Sequence, residues 1–422
     1  MVSPFLPDAA KLRSVREAIP ASGAGIYVNT AEAGPLPAET AAAMREIADH
    51  ETRFGRGHAA DLEDAAARRD EARAALAAVL AADVGSVALT RGSTDALAVA
   101  LRGIEWSAGD RLVTVADAGP GIAAAAAGVV ERRGVELVVA DRRRHPADGT
   151  TTTAPLTELI VSATLDGDAR LVVLPHVGVA GRRLPIAQLV AAIRSVRPDV
   201  PIVVDGRLAV GAVPVMVDEL GVDAYAVGGD AWLLGPAATG GLWVAPSGRL
   251  HPDLAGPDAL TPSGRTGMPI RERDARAFEP GELPTTSVVG LARSVGWLSM
   301  FVGLDWVLGR APELAGRLVD RLAEIDAVEL LTPAMAAERA AIVALRIRGW
   351  PAEEAVGELG RRIFAIAGVV ASPDAGPPMI RLSTACFNEP SELDRLADAI
   401  GLLAAHTPDT LPRPTALTIV HG

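Results

Sequence analysis

Cysteine is almost absent from this sequence of 422 residues, in which Cys386 stands alone. One cysteine excludes an internal disulfide, and a lone thiol most often packs as a small hydrophobe, so we expect Cys386 to be structural. The N-terminal segment MVSPFLPDAAKLRSVREA carries charges where a secretory signal has an apolar core. A membrane span needs a run of about 18 apolar residues, and we find no such run in the sequence. We therefore expect a cytoplasmic protein without a membrane partner.

Lysine is also nearly missing, with a stronger consequence for chemistry. The chain contains 40 Lys and Arg residues together, and since Lys11 is the one lysine in the sequence, the other 39 are arginines. A Schiff base needs a primary amine that can lose its proton, which the guanidinium of Arg does not provide. Chemistry of that kind could therefore use only Lys11.

Aromatic residues make up 3% of the chain, and no acidic block accounts for its charge. The net charge is −12, with Asp and Glu interleaved with Arg along the whole sequence. Because binding of nucleic-acid phosphates needs a clustered basic face, this pattern disfavours a nucleic-acid partner. Apolar residues make up 49% of the chain, and its length suits one large domain with a smaller one.

Short apolar runs alternate with helical stretches up to about residue 245. The runs suited to buried strands are Val87–Thr90, Arg111–Val115, Val135–Ala140, Leu171–Leu174, Ile202–Asp205, Ala224–Val227 and Gly241–Val244. The helical stretches between them include Ser93–Arg102, Ile122–Arg133 and Ile186–Val196. This alternation predicts an α/β fold with a mostly parallel sheet flanked by helices.

The sequence beyond residue 245 predicts a second, smaller unit. Ser247–Leu283 is rich in Pro, Gly and Arg and is interpreted as a connector. A helix near Val288–Val302 follows, then helix, strand, strand and a last helix at Ser391–Ala405, which suits a small α+β domain. The predicted division is residues 24–275 for the large domain, and 1–23 with 276–422 for the small one.

The stretch LTRGSTDA (Leu89–Ala96) places Gly-Ser-Thr between the end of a strand and the start of a helix. Backbone N–H groups there, with the hydroxyls of Ser93 and Thr94, would form an anion site aided by the helix dipole. The alternative is that Ser93 or Thr94 merely caps the helix.

Two further charged residues stand at the ends of apolar strands. Asp205 ends a buried strand in VVDGRLAVG, at the edge where open α/β sheets bind ligands, although Asp before Gly206 also suits a plain turn. Arg381 in MIRLSTACFN could hold a carboxylate in a bidentate pair, or could place its head group in water.

The order and spacing of these motifs resemble the class V aminotransferase family of pyridoxal-phosphate (PLP) fold type I. That group includes cysteine desulfurases, isopenicillin N epimerase-like proteins and ergothioneine C–S lyases. The resemblance covers nearly the whole chain through YVNTAEAGPLP, ALTRGSTDAL, VVLPH…LPI, VVDGRLAVGAVPV, GGDAWLLGPAATGGLWV, RAFEPG and IRLSTACFN.

The resemblance implies a role for each matching residue. Gly92, Ser93 and Thr94 match the turn that binds the PLP phosphate, and Asp205 matches the acidic partner of the pyridinium nitrogen. Arg381 matches the arginine that holds a substrate carboxylate, and Asn29, in the first motif, is a further candidate for substrate binding. Family members build their sites across a dimer, so the resemblance also implies a homodimer.

Four positions depart from the family pattern. Ala231, expected at the floor of the pocket, stands where the family has the lysine that binds PLP covalently. Gly119 in VADAGPG matches the ring that stacks on PLP, and Leu208 stands where many relatives have His or Gln. Glu282 aligns with a threonine that helps bind phosphate across subunits, and a carboxylate there would repel a phosphate. PLP would then be bound noncovalently or not at all.

Three interpretations of Ala231 follow from these departures. The favoured one is an enzyme of small-molecule metabolism that works without covalent PLP, with Asp205 as general acid/base, Asp230 as the next candidate and Arg381 as the anchor of an anionic substrate. A second is a Lys-to-Ala variant of an ordinary PLP-dependent epimerase, lyase or aminotransferase. A third is a noncatalytic subunit that forms a heterodimer with a lysine-bearing relative.

Overall fold

The computed structural model describes residues 8–141, 153–166, 169–253, 256, 259–262, 269–271, 274–371 and 376–412. Its helices are α1 (Asp8–Ala18), α2 (Ala38–Phe54), α3 (Ala59–Leu80), α4 (Ser93–Arg102), α5 (Pro120–Arg133), α6 (Thr153–Leu165), α7 (Ile186–Val196), α8 (Thr285–Gly296), α9 (Leu304–Ala323), α10 (Ala352–Ile363) and α11 (Pro390–Ala404). Its strands are β1 (Ile26–Tyr27), β2 (Val87–Thr90), β3 (Arg111–Val115), β4 (Glu136–Ala140), β5 (Ala169–Pro175), β6 (Ile202–Asp205), β7 (Ala224–Gly228), β8 (Gly240–Val244), β9 (Leu260–Pro262), β10 (Pro269–Arg271), β11 (Val328–Leu330), β12 (Ile342–Ile347), β13 (Ala365–Ile366), β14 (Gly368–Val370) and β15 (Met379–Ser383).

A seven-stranded sheet in the order β2-β8-β7-β6-β5-β3-β4 forms the centre of the large domain. β8 is antiparallel to both of its neighbours, and the other pairs are parallel. The strands are apolar and β-branched because helices cover both faces, and every residue of β2, β6 and β7 is buried. The predicted α/β fold with a mostly parallel sheet is confirmed, and β2, β3 and β6 have the predicted bounds.

The direction of the strands brings several loops to one edge of this sheet. β2 and β7 run in the same direction because each is antiparallel to β8, and β7 is parallel to β6, which in turn is parallel to β5. The carboxyl ends of all these strands therefore meet at one edge. In open α/β sheets this edge is where ligands bind.

The C-terminal part of the chain forms a second sheet, of four antiparallel strands in the order β11-β12-β15-β14. α9, α10 and α11 pack against it and share a separate hydrophobic core. The last of these helices begins with a capping box, in which Glu389 and Glu392 each accept the other's backbone N–H. This arrangement matches the predicted small α+β unit.

Three segments pack differently from the predicted division of the chain, and one of them is α1, whose Val15 lies in the core of the large domain. Ile26 and Val28 belong to the core of the small domain, because β1 pairs with β13. α8 belongs to the large domain, where Val288 and Leu291 join the large core and the helix packs against α2 and α3. The chain therefore crosses between the two cores at other residues than the predicted 24 and 276.

The predicted connector Ser247–Leu283 contains regular structure. β9 and β10 form an antiparallel hairpin, and a 3-10 turn spans Ala275–Phe278. Beyond that turn, Glu279 is buried and accepts hydrogen bonds from the N–H of Leu89 (2.9 Å) and from Arg73 (2.7 Å), which ties this segment to β2. Residues 254–255, 257–258, 263–268 and 272–273 of the connector lie outside the described residues.

One helical run, Thr285–Ala323, is long and apolar enough to cross a membrane by length and composition. It joins α8 and α9 through a π-helical turn at Trp297–Gly303. No such run was expected from the sequence. This one is apolar on average, although polar residues are interspersed in it. Half of that stretch is buried inside the protein, as in core helices that pack against other helices.

A buried carboxylate fixes the far end of β6. Asp223 is 1% exposed and accepts hydrogen bonds from the backbone N–H of Ile202 (2.8 Å) and from Ser247 (2.9 Å). It also pairs with Arg194 (2.5 Å) and Arg249 (2.8 Å). One acidic side chain therefore joins the start of β6, α7 and the segment after β8.

We expect Asp223→Ala to lower the free energy of unfolding by about 3 kcal/mol, because two partly buried guanidinium groups lose their partner. Urea denaturation measures the change. Asp218→Ala, at an exposed position of the same region, should change stability by no more than about 0.5 kcal/mol. Equal stability of the two variants would contradict this account of the far end of the sheet.

Candidate active site

A cavity of about 420 Å³ opens at the edge of the large sheet where the strands end. Its wall consists of the segments that follow β2, β3, β5, β6 and β7, completed by Glu32 and by Arg381 of β15. The predicted site residues in this wall are Gly92, Ser93, Thr94, Gly119, Asp205, Leu208, Asp230 and Arg381. The fold thus brings together residues that are distant in the sequence.

The turn between β2 and α4 has the geometry of an anion site. Gly92 is the N-cap of α4, with a φ of 116° that favours glycine and no side-chain cap hydrogen bond. Neither Ser93 nor Thr94 is therefore the cap, and the first backbone N–H groups of a helix have no partner inside it. The hydroxyl of Ser93 is buried and has no hydrogen-bond partner among the described residues. An anion such as phosphate would satisfy these donors.

Asp205 lies at the end of β6 and is buried. Its Oδ1 accepts the backbone N–H of Arg207 (3.0 Å), so the residue does form a turn as well as lining the cavity. Burial raises the pKa of Asp205, although the hydrogen bond and charge of Arg207 oppose the shift. A Cβ on Gly121 would lie 3.6 Å from Asp205 Oδ2 and 3.0 Å from Thr94 Oγ1. Glycine at 121 therefore avoids a tight contact with the Thr94 hydroxyl, whereas the approach to Asp205 would be an ordinary van der Waals contact.

Two residues that sequence analysis did not select support Asp205. The N–H of His176 donates to the carbonyl of Asp205 (2.8 Å), and His176 Nδ1 lies 2.7 Å from the hydroxyl of Tyr225. The Tyr225 ring packs on Gly206, where a Cβ would come within 2.1 Å of it. Burial lowers the pKa of His176 to about 4, and burial with the Asp205 charge raises that of Tyr225. Both side chains are therefore neutral near pH 7.

Asp230 is held in the wall by Arg207. The guanidinium of Arg207 donates to Asp230 Oδ2 (3.3 Å) and to the carbonyls of Ala31 (2.8 Å) and Glu32 (2.7 Å). One arginine thus joins the loop after β7 to the segment that follows β1. Arg207 itself was not selected from the sequence, where it is one of many arginines.

Ala231 does not lie at the floor of the cavity, contrary to the expectation from the sequence. Its exposure is 0%, and Asp230 lies in the wall instead. Gly34 packs against the backbone of this loop: its N–H donates to the carbonyl of Asp230 (2.6 Å), and a Cβ on it would be 2.2 Å from the carbonyl oxygen of Ala231. The methyl of Ala231 is too short to extend from this buried loop into the cavity.

Lys11 does not supply the missing amine. It lies on α1, is 4% exposed and places Nζ 5.1 Å from the centre of the Trp306 ring. This is a cation–π contact in the protein interior. Lys11 is not among the described residues of the cavity wall.

Arg381 is 3% exposed, which rules out the interpretation that its head group lies in water. Its Nη2 donates to Glu32 Oε2 at 2.8 Å, an ion pair within the wall. Burial lowers the pKa of Arg381, while the charge of Glu32 raises it. Cys386, a few residues further along, is buried with its pKa raised to about 12, in keeping with the structural role predicted for it.

The remaining wall contains Arg91 and Thr239 and is otherwise apolar. Gly119 begins α5, and a Cβ on it would be 3.6 Å from Val179 Cγ1. Leu208 is 8% exposed and lines the opposite part of the wall. Neither an aromatic side chain nor a histidine occurs among the described residues of the wall.

Two predicted residues lie elsewhere. Asn29 forms a backbone bridge to Ser383 and directs Oδ1 toward Gly368, where a Cβ would be 2.5 Å away, so it packs between strands rather than in the wall. Glu282 lines a separate cavity of about 790 Å³, together with His50 and Asp61 of α2 and α3. Within one chain, Glu282 is therefore not part of the α4 turn.

We expect Ser93→Ala to leave stability unchanged or slightly raised in phosphate-free buffer, because it removes a buried hydroxyl that lacks a partner. The same variant should gain less stability from inorganic phosphate than the wild type, since a ligand that binds more tightly stabilises the folded state more. Thermal unfolding with and without phosphate measures both effects. Ser195→Ala, on the exposed side of α7, is the control. An equal gain from phosphate in wild type and Ser93→Ala would contradict an anion site at this turn.

The sequence and the fold match proteins of known family. The pattern of the Aminotransferase class-V family matches residues 26–396. Isopenicillin N epimerase of Streptomyces clavuligerus is 28% identical over 398 residues, which cover 90% of this chain and 94% of the relative. A probable hercynylcysteine sulfoxide lyase of Mycobacterium tuberculosis is 26% identical over 401 residues, 91% of each chain.

Solved structures show the same fold. A Lys-to-Ala variant of C-DES with glycine covalently linked to the PLP cofactor superimposes with a TM-score of 0.81 at 22% identity, over 92% of this chain and 98% of that one. A cysteine desulfurase of Thermococcus onnurineus gives a TM-score of 0.79 at 19% identity, over 96% of this chain and 100% of that one. Because the family pattern matches nearly the whole sequence, this chain belongs to the class V aminotransferase family, in which its relatives include PLP enzymes.

Proposed function

We propose that this chain is an enzyme of small-molecule metabolism that binds an anionic ligand in the class V cavity without covalent attachment of PLP. The observation that supports this most directly is the contrast within one cavity. The α4 turn and Asp205 are present, while the position predicted for the anchoring lysine holds the buried methyl of Ala231. The one lysine of the chain packs against Trp306.

The residues fit the phosphate and the ring nitrogen of PLP but not its aldehyde. Gly92, Ser93 and Thr94 would hold a phosphate, because the Ser93 hydroxyl lacks a partner among the described residues and α4 has no side-chain cap for its first amides. Asp205 would pair with a protonated ring nitrogen. PLP, when bound, supplies an electron sink for carbanion chemistry. The wall offers no amine to tether it, so any PLP or similar phosphate compound would bind noncovalently.

Asp205 is the best candidate to hold or move a proton. Its raised pKa brings the carboxyl closer to neutral pH, where a general acid or base works most efficiently. The backbone N–H groups of Arg207 and His176 fix its position. Asp230 is the second candidate, and it forms an ion pair with Arg207 at 3.3 Å.

The alternative of a Lys-to-Ala variant of an ordinary PLP enzyme predicts an otherwise intact pocket. Gly119, where the resemblance implies a stacking ring, is a further departure that one substitution would not produce. This departure favours a natural sequence. We propose a homodimer as the assembly, because family members build their sites across a dimer; a heterodimer with a lysine-bearing relative is the alternative assembly.

Ala231→Lys should restore covalent binding of PLP, because it adds a primary amine beside Asp230. After incubation with PLP and reduction with borohydride, intact-mass spectrometry should show one adduct on the variant and none on the wild type. Ala42→Lys, at an exposed position of α2, is the control for nonspecific labelling. A stable adduct on the wild type would refute the proposal, and recovery of amino-acid turnover by Ala231→Lys would favour the Lys-to-Ala alternative.

Asp205→Asn should change both stability and ligand affinity. Because burial raises the pKa of Asp205 above its ordinary value of 3.8, its contribution to stability is full below that pH and is lost as the pH rises through the raised pKa. The stability of the variant relative to the wild type should therefore increase across this range, as measured by urea denaturation. Its affinity for pyridoxamine 5′-phosphate should fall about tenfold at pH 7, because a charge-assisted hydrogen bond is lost.

Asp218→Asn, at an exposed position, is the matched control for both measurements. An unchanged affinity of Asp205→Asn for pyridoxamine 5′-phosphate would remove Asp205 from the binding site. A stability difference that is constant with pH would show that its carboxyl does not titrate abnormally.

A further inference from the structure

The cavity wall contains a carboxylate that belongs to the protein and lies on Arg381. Glu32 Oε2 is 2.8 Å from Arg381 Nη2, and both residues line the cavity. Arg381 is 3% exposed, and its Nε has no partner among the described residues. Glu32 is thus the acidic partner of a buried cation. The Glu32 side chain is 66% exposed, and its removal would leave the buried guanidinium of Arg381 without an acidic partner unless another anion took its place.

The backbone that carries Glu32 is fixed at several points. Arg207 donates to the carbonyls of Ala31 and of Glu32 itself, and the N–H of Gly34 donates to the carbonyl of Asp230. Because its backbone is held near Arg381, the Glu32 carboxylate acts at a high effective concentration, of the order of millimolar. A ligand carboxylate must compete with that concentration to reach Arg381.

The charges at this end of the cavity are balanced without a ligand. Arg207 pairs with Asp230, and Arg381 pairs with Glu32. A ligand carboxylate placed here would lie near two carboxylates, and each of the two arginines already pairs with one of them, although Arg381 Nε keeps a donor that has no partner among the described residues. A neutral or cationic group would not meet this repulsion.

We infer that Glu32 occupies the position on Arg381 that a ligand carboxylate would otherwise take. The cavity then selects ligands that have no carboxylate at the Arg381 end, such as a phosphorylated amine or alcohol. The exclusion of a ligand carboxylate at Arg381 is inferred from the contact between Glu32 and Arg381. The phosphate that such a ligand would place at the α4 turn rests on the function proposed above.

Chemical rescue with acetate tests the role of Glu32 independently of the α4 turn. Glu32→Ala leaves Arg381 without an acidic partner, so acetate should raise its melting temperature relative to chloride at equal ionic strength. Acetate should have no such effect on the wild type or on Glu39→Ala, which removes an exposed glutamate that pairs with Arg293. An equal effect on the wild type, or none on Glu32→Ala, would overturn the inference.

Glu32→Gln, which keeps the size of the side chain, serves if Glu32→Ala does not fold. For this variant the measurement is a matched pair of ligands, phosphoethanolamine and O-phospho-L-serine, which differ by one carboxylate. Calorimetry should show that the wild type binds phosphoethanolamine at least about tenfold more tightly, the value of one charge-assisted hydrogen bond, and that Glu32→Gln loses this preference. Equal affinities for the two ligands in the wild type would overturn the inference.

Titration with inorganic phosphate separates the two proposals. Failure of phosphate to bind the wild type counts against the anion site at the α4 turn and so against the proposed function. The acetate result then still decides the role of Glu32, because it depends on Arg381 alone.

Discussion

Parallel pairing of β5, β6 and β7 is the constraint on which the candidate site depends. It aligns the ends of these strands, so that Pro175, Asp205 and the loop with Asp230 face one cavity. β8 reverses direction and returns β2 to the same orientation, which adds the α4 turn to the same edge. No single segment contains the site, because each of these parallel strands supplies only its last residue or the loop that follows it.

Two arginines join separate segments of the chain around this cavity. Arg207 links the loop after β7 to the segment after β1, and Arg381 links β15 to Glu32. Each has five donors in a rigid arrangement, which suits several carbonyl and carboxylate partners at once. The two domains therefore meet at the cavity through charged contacts as well as through their backbone.

The fold could be predicted closely from the sequence, and the site in part. Buried strands such as Ile202–Asp205 have an apolar composition that local patterns reveal, and Asp205 stands out as the charge at the end of one. The contacts of Glu32 with Arg381, and of His176 with Tyr225, join residues 349 and 49 positions apart and depend on tertiary packing. Burial of Ala231 under Gly34 likewise has no local signal. Ile26 and α8 joined unexpected cores because strand pairing and helix packing, not distance along the chain, decide which core a residue enters.

The packing of Lys11 against Trp306 has a consequence for the reactivity of the protein as a whole. Aldehydes in the cell condense readily with exposed amines, and the side chains of this cavity present none to them. A carbonyl compound that enters the cavity meets guanidinium, hydroxyl and carboxyl groups, so no side chain of the described wall forms an imine with it.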